Sequence, residues 1–292
     1  MKNEPRWKAY RRSIRSFSDI FEIHTEMDSD SAEWVFRGQA GHSNRLESTL
    51  ERCFLDFGIA KREFLPIELA LLHEFRRYYH LYGPTPAPAP DDTLAYLALM
   101  RHYGSPARLL DFTFSLFVAC FFAIERASRN PVVWAVNKTW LTKHFIGHVK
   151  AQKDGEYLLK LLAAREGRAF DEVFVQNRSK VALVGPVNPS FMNDRIAVQK
   201  GLFLSATDIS RPFRQVLWSM PQSKENVMKI RVSPKARRDL LLVFERMNIT
   251  RVGLFPGLQG FGESLYGKVL LFKRLERMRR RGGRLGPRSL GL

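Results

Sequence analysis

Arg37 and Gly38 end a short aromatic and β-branched run, EWVFR at residues 33–37. A guanidinium there, beside a glycine that admits a close neighbour, suits forked recognition of a phosphate or carboxylate. The competing role is an arginine that holds a carboxylate in the core. A second concentration of reactive groups lies in 102–111, where His102, Tyr103, Arg108 and Asp111 surround a Gly-Ser-Pro turn. Ionisable groups at a helix-to-loop junction are where sites are commonly built. His102 also continues the apolar stripe of Ala95, Ala98 and Leu99, which favours a satisfied core-edge histidine over a catalytic base. Asp111 is available as partner to either Arg37 or Arg108. No CxxC, HExxH or paired-carboxylate spacing marks a metal site, and His144 and His148, four apart, have no obvious third ligand. A P-loop and a dinucleotide fingerprint are both missing, which argues against an ATPase or a dehydrogenase.

The elements that must position these groups follow from periodicity. Residues 18–27 have helical spacing with Ser16 or Ser18 as cap, and 66–80 is amphipathic, with Ile67, Leu71, Leu72, Phe75 and Tyr79 on one side. PTPAPAP at 84–90 favours an extended surface connection. Asp91 or Asp92 caps a helix that runs to His102 and stops at Gly104. A loop at 105–110 leads to an apolar, buried helix at 113–127. Residues 33–37 and 131–136 read as strands, and 181–184, 201–204, 227–232 and 251–254 as further candidates. Helices are expected at 155–168 and 234–247. Without a regular βαβ alternation the order implies an α+β fold around a mostly antiparallel or mixed sheet.

The chain has 292 residues, 45% of them apolar, with 22 Phe, a globular composition. Its longest nearly apolar run, 112–124, is well short of the roughly 20 residues that cross a bilayer, so no membrane partner is expected. The basic N-terminus leads into no apolar block, and Cys53 and Cys120 sit among apolar residues as reduced, buried thiols. Together these imply a cytoplasmic protein. Net charge is +18, and residues 273–292 carry eight basic side chains and one acid. That Gly-punctuated tail is either a flexible, solubilising end or a contact for nucleic acid or an acidic protein. The charge that remains elsewhere favours an anionic ligand.

WVFRGQ at 34–39 is similar to the signature of the FRG domain family. STLER at 48–52 resembles its Pro-Ser-Leu-x-Arg, and Glu68, Leu72 and Phe75 its helical Glu-Leu-Phe pattern. LMRHYGSPARLLDFTFSLFVACFFA at 99–123 resembles the family's His-Tyr-Gly-x-Pro-Thr-Arg-Leu-Leu-Asp-Trp-Thr block and the helix after it. NDRIAVQKGLF at 193–203 and NITRVGLFPGLQG at 248–260 are similar to later family segments. The resemblance implies an FRG domain over 18–265, with the basic tail at 273–292 outside it. Gly257 and Gln259 stand where the family has Asp.

A second similarity is to ADP-ribosyltransferases, which begin their site with an aromatic-Arg-Gly strand, continue with a Ser-Thr-Ser-like strand and add a late Glu. This chain offers Phe36, Arg37 and Gly38, followed by Gln39, then Ser205 and Thr207, then Glu263. The analogy implies NAD as cofactor. Arg37 and the hydroxyls would hold the dinucleotide, and Glu263 would stabilise the developing ribosyl cation. The candidate catalytic set is Arg37, Glu263, His102 and Tyr103. The candidate ligand-binding set is Phe36, Gly38, Gln39, Arg108, Asp111, Ser205 and Thr207. The function implied is a nucleotide-binding effector of the phage-defence or toxin type; the alternative is a non-enzymatic nucleic-acid-binding or protein-interaction module.

Overall fold

A computed structural model of the chain describes residues 12–28, 31–41, 45–126, 130–164, 167–177, 181–190 and 193–282. Among these residues seven strands form one mixed sheet: β1 (Arg12–Ile14), β2 (Trp34–Gln39), β3 (Leu110–Thr113), β4 (Val132–Asn137), β5 (Val184–Val187), β6 (Gly201–Ala206) and β7 (Val227–Val232). Their spatial order is β1-β7-β4-β2-β3-β6-β5. Among the described residues β1 and β7 run parallel, and the other strand pairs are antiparallel. With helices on both faces this is an α+β fold, as the order of elements implies.

Strand alternation sorts the core into two layers. Val35, Phe112, Val132, Trp134 and Val136 face one side, against Phe213, Val216 and Leu217. Phe36, Val133 and Ala135 face the other, against the helix Leu116–Ile124 and the helix Arg237–Arg246. The first of these helices is apolar all round because it is buried between sheet and neighbours. A third cluster, with Leu72, Leu97, Phe145 and Phe174 at its heart, fills the space among the helices on the β5–β6 side.

Several local expectations need correction. The apolar run 112–124 is not one helix. Its first residues belong to β3, which pairs with β6 over four positions, and the helix starts only at Leu116, capped by Ser115. A short apolar run cannot reveal such a split by periodicity alone. Residues 251–254 form a helical turn and not a strand, because the Thr250 hydroxyl accepts from the Gly253 amide and starts the turn. The strand expected at 181–184 lies at Val184–Val187, and the helix at 155–168 is divided into Gly155–Ala163 and Gly167–Phe170. Cys120 is buried, and its burial pushes the thiol's pKa up, while Cys53 is partly exposed.

The basic segment 273–292 begins inside a helix, Leu258–Gly282, where a flexible end is one sequence-based reading. Residues 283–292 lie outside the described residues. On that helix Leu258, Phe261, Leu265, Val269 and Phe272 fall on one stripe and are all exposed. Among the described residues no helix is long and apolar enough to cross a membrane.

Candidate functional site

β2 is the central strand, flanked by β4 along its whole length but joined to β3 at a single position, Phe36 opposite Thr113. Beyond that point the Arg37 guanidinium replaces ladder bonding: its Nη1 donates to the Asp111 carbonyl at 2.7 Å and lies 3.5 Å from the Asp111 carboxylate. The helix Thr93–His102, capped by Asp92, delivers Arg101 on its last turn. The chain reverses through Gly104, at φ 87°, and returns as β3, which sets Asp111 against Arg101. Arg101 takes the same carboxylate oxygen with Nε at 2.8 Å and Nη2 at 2.5 Å. The short helix Asp194–Val198, capped by Asn193, brings Arg195, whose Nη1 donates to the His102 carbonyl at 3.3 Å.

These groups line a cavity of about 210 Å³ together with Phe36, Phe112, Phe122 and Phe255 and with Thr113 and Gln199. Gln199 is fixed by its amide donating to the Leu254 carbonyl at 2.8 Å, and the Thr113 hydroxyl donates to the Gln199 carbonyl at 2.6 Å. Arg195 lies over the Phe255 ring at 4.5 Å, and Arg251 lies over it at 3.7 Å. Three guanidiniums therefore surround one carboxylate. Burial draws the pKa of Arg37 down to about 10, with Arg101 and Arg52 acting in the same direction and Asp111 opposing them. Burial pushes the Asp111 carboxyl up, but Arg101, Arg37 and Arg195 outweigh it and hold it below the usual carboxylate range. Burial and Arg195 lower the pKa of His102, which favours its neutral imidazole, with Asp111 and Asp194 opposing them.

The sequence-predicted residues divide sharply. Phe36, Arg37, Gly38 and Asp111 line the cavity, and His102 borders the adjoining cleft beside Arg101 and Arg195. The His102 Nδ1 is buried without a hydrogen-bond partner, so it is not the satisfied core histidine that its apolar stripe suggested. Arg108 is a correction. It is not the partner of Asp111, because it is buried in an ion pair with Glu68. Gly38 is another: its close neighbour is the helix Leu116–Ile124 and not a ligand, since a Cβ there would lie 1.9 Å from the Ala119 carbonyl oxygen. Gln39 accepts from the Trp134 indole at 3.0 Å and donates to the Arg45 carbonyl, and Tyr103 is 58% exposed beside His102.

The three remaining candidates stand apart from the cavity. Ser205 is completely buried, its hydroxyl reaching only the neighbouring Ala206 carbonyl, and the Thr207 hydroxyl ties Leu183 to Val181. Glu263 is held by Arg251 and by Arg126 at 3.2 Å. Partial burial would raise its carboxyl, but Gln259 and Arg251 outweigh that and hold it low. The sequence reading missed Arg101, Arg195, Gln199 and Phe255 as site residues. All four lie within the segments that carry the family resemblance, which was the available signal.

Asp111 pairs with two guanidiniums, so Asp111→Asn is expected to cost about 2 kcal/mol, the scale of hydrogen bonds to charged groups. The carboxyl's folded pKa is depressed, so its contribution is present above the unfolded value of about 3.9 and is lost as pH falls through the folded one. Urea midpoints at pH 7 and pH 3 check both points: the variant's deficit should shrink in acid. A deficit equal at the two pH values would show that the charge is not the cause.

No curated protein and no solved structure matches the chain significantly. Residues 32–131 match the FRG domain, a span that holds Arg37, Arg101 and Asp111, and the chain thus carries a domain of that family.

Proposed function

We propose that this FRG domain binds an anionic nucleotide ligand in the cavity between β2, β3 and the helix Asp194–Val198. The observation that carries the reading is the set of three guanidiniums, Arg37, Arg101 and Arg195, around the single carboxylate of Asp111, beside aromatic walls. A partly buried cluster with excess positive charge recognises phosphate by charge-assisted, forked hydrogen bonds. Arg195, Gln199 and Phe255 lie beyond the matched segment, which supports a functional unit spanning 18–265. Such a binder suits a nucleotide-responsive effector of the phage-defence or toxin type. NAD remains a candidate ligand, but the geometry favours binding over ribosyl transfer: the Glu263 carboxylate is occupied by arginines, and Ser205 and Thr207 do not line the cavity.

A second contact is favoured by the C-terminal helix, whose exposed apolar stripe runs into the basic residues after Phe272. An acidic protein or a nucleic acid would meet that charge. One experiment addresses both sites: calorimetric titration of the full chain, and of a chain ending at Phe272, with AMP, NAD and a short RNA. AMP or NAD is expected to bind both chains equally, and RNA the full chain only, with a steep salt dependence. Arg37→Lys should weaken nucleotide binding by about tenfold or more, because an ammonium keeps the charge but loses the fork. A folded protein that binds no nucleotide at millimolar concentration would overturn the reading.

A further inference from the structure

The donors and charges around the cavity narrow the ligand, on the reading just given that the site takes an anionic nucleotide. Arg101 turns its Nε–Nη2 edge to Asp111 and keeps only Nη1 without a protein acceptor among the described residues. Arg37 commits Nη1 to Asp111, while its Nε is buried with no partner. Arg195 commits Nη1 to the His102 carbonyl. Among the described residues, the Nη2 of Arg37 and both Nε and Nη2 of Arg195 have no protein acceptor. Two guanidinium edges with unspent N–H groups thus border one small space.

The charge is uneven in the same place. Three guanidiniums and one carboxylate leave an excess of two positive charges at the cavity. The neighbouring cluster cannot offset it, because Arg251 and Arg126 are already balanced by Glu125 and Glu263. Size adds a third constraint. Pockets that enclose a drug-sized ligand run to about 300–1,000 Å³. A cavity of about 210 Å³ takes a phosphate and part of what it carries, but not both halves of a dinucleotide.

We infer that the site selects a terminal phosphate monoester, as in a nucleoside monophosphate, over an internal phosphodiester or a dinucleotide pyrophosphate. A monoester brings three non-bridging oxygens and close to two negative charges at pH 7, which answers both unspent edges and the excess charge. A diester offers two such oxygens and one charge.

Competition at pH 7.5 among AMP, cyclic AMP, NAD and inorganic phosphate tests this, with base and sugar the same in the first two. AMP is expected to bind about tenfold tighter than cyclic AMP or NAD, a difference of about 1.4 kcal/mol. Arg195→Gln, checked for an unchanged melting temperature, should abolish that preference by removing one edge. Equal affinity for AMP and cyclic AMP, or tighter binding of NAD, would overturn the inference while leaving the nucleotide reading intact. Equal affinity for AMP and inorganic phosphate would preserve the monoester preference but overturn the nucleotide reading. No binding of any of the four would overturn both.

Discussion

Arg108→Ala is expected to destabilise the protein by about 3–5 kcal/mol, the cost of leaving one partner of a buried ion pair uncompensated. Arg108 and Glu68 are each about 2% exposed. The Arg108 Nε donates to both carboxylate oxygens at 2.8 Å, its Nη2 reaches the same carboxylate, and its Nη1 donates to the Phe174 carbonyl at 2.7 Å. Truncation would therefore strand a carboxylate and a backbone carbonyl together. The loss would be a large share of the 5–15 kcal/mol typical of a folded domain, and aggregation on expression would accompany it. The double variant Glu68→Leu/Arg108→Met should recover most of the deficit, because it removes both charges and keeps the volume. Urea unfolding of the three proteins decides the matter. A single variant as stable as wild type would show that Arg108 is not structural, and its ligand-binding role would have to be reconsidered.

That arginine shows where sequence reasoning reached its limit. Arg37, Arg108 and Asp111 were visible as chemistry, and the helix ending at His102 was visible from its cap and stripe. Which arginine meets which carboxylate was not visible, because Glu68 lies forty residues before Arg108, on the helix Phe64–Tyr82, while Arg108 sits in the loop before β3. Arg101 sits beside the more conspicuous His102, and helical geometry turns it toward Asp111, a contact that no periodicity reports. Arg195 needed the β3–β6 pairing, which depends on a four-residue strand whose end merges into an apolar run. Ser205 and Thr207 have the alternation of a strand face, yet the interior had already used both hydroxyls. Spacing reveals which side chains share a face; it does not reveal which polar groups the core must satisfy for its own sake.

Gly38→Ala is the second substitution expected to have a large effect, about 3 kcal/mol or more, at or beyond the upper end of ordinary overpacking. The added Cβ would sit 1.9 Å from the Ala119 carbonyl oxygen and 2.6 Å from the Ala123 amide nitrogen. Both are backbone atoms of one helical turn, so no rotamer change relieves the clash. Either the helix Leu116–Ile124 moves off the sheet or β2 bends. The helix carries Phe121 and Ile124 into the core and presents Phe122 to the cavity, so its displacement would loosen both. Gly104→Ala is the control: its φ of 87° strains an alanine, but no atom lies within 4 Å of the added Cβ. A cost of about 1 kcal/mol is expected there, the scale of one residue held in the left-handed region. Thermal and urea unfolding should rank the two variants in that order. Should Gly38→Ala keep wild-type stability and lose only AMP binding, the glycine would serve the ligand, and the close approach in this signature would have to be assigned to the phosphate.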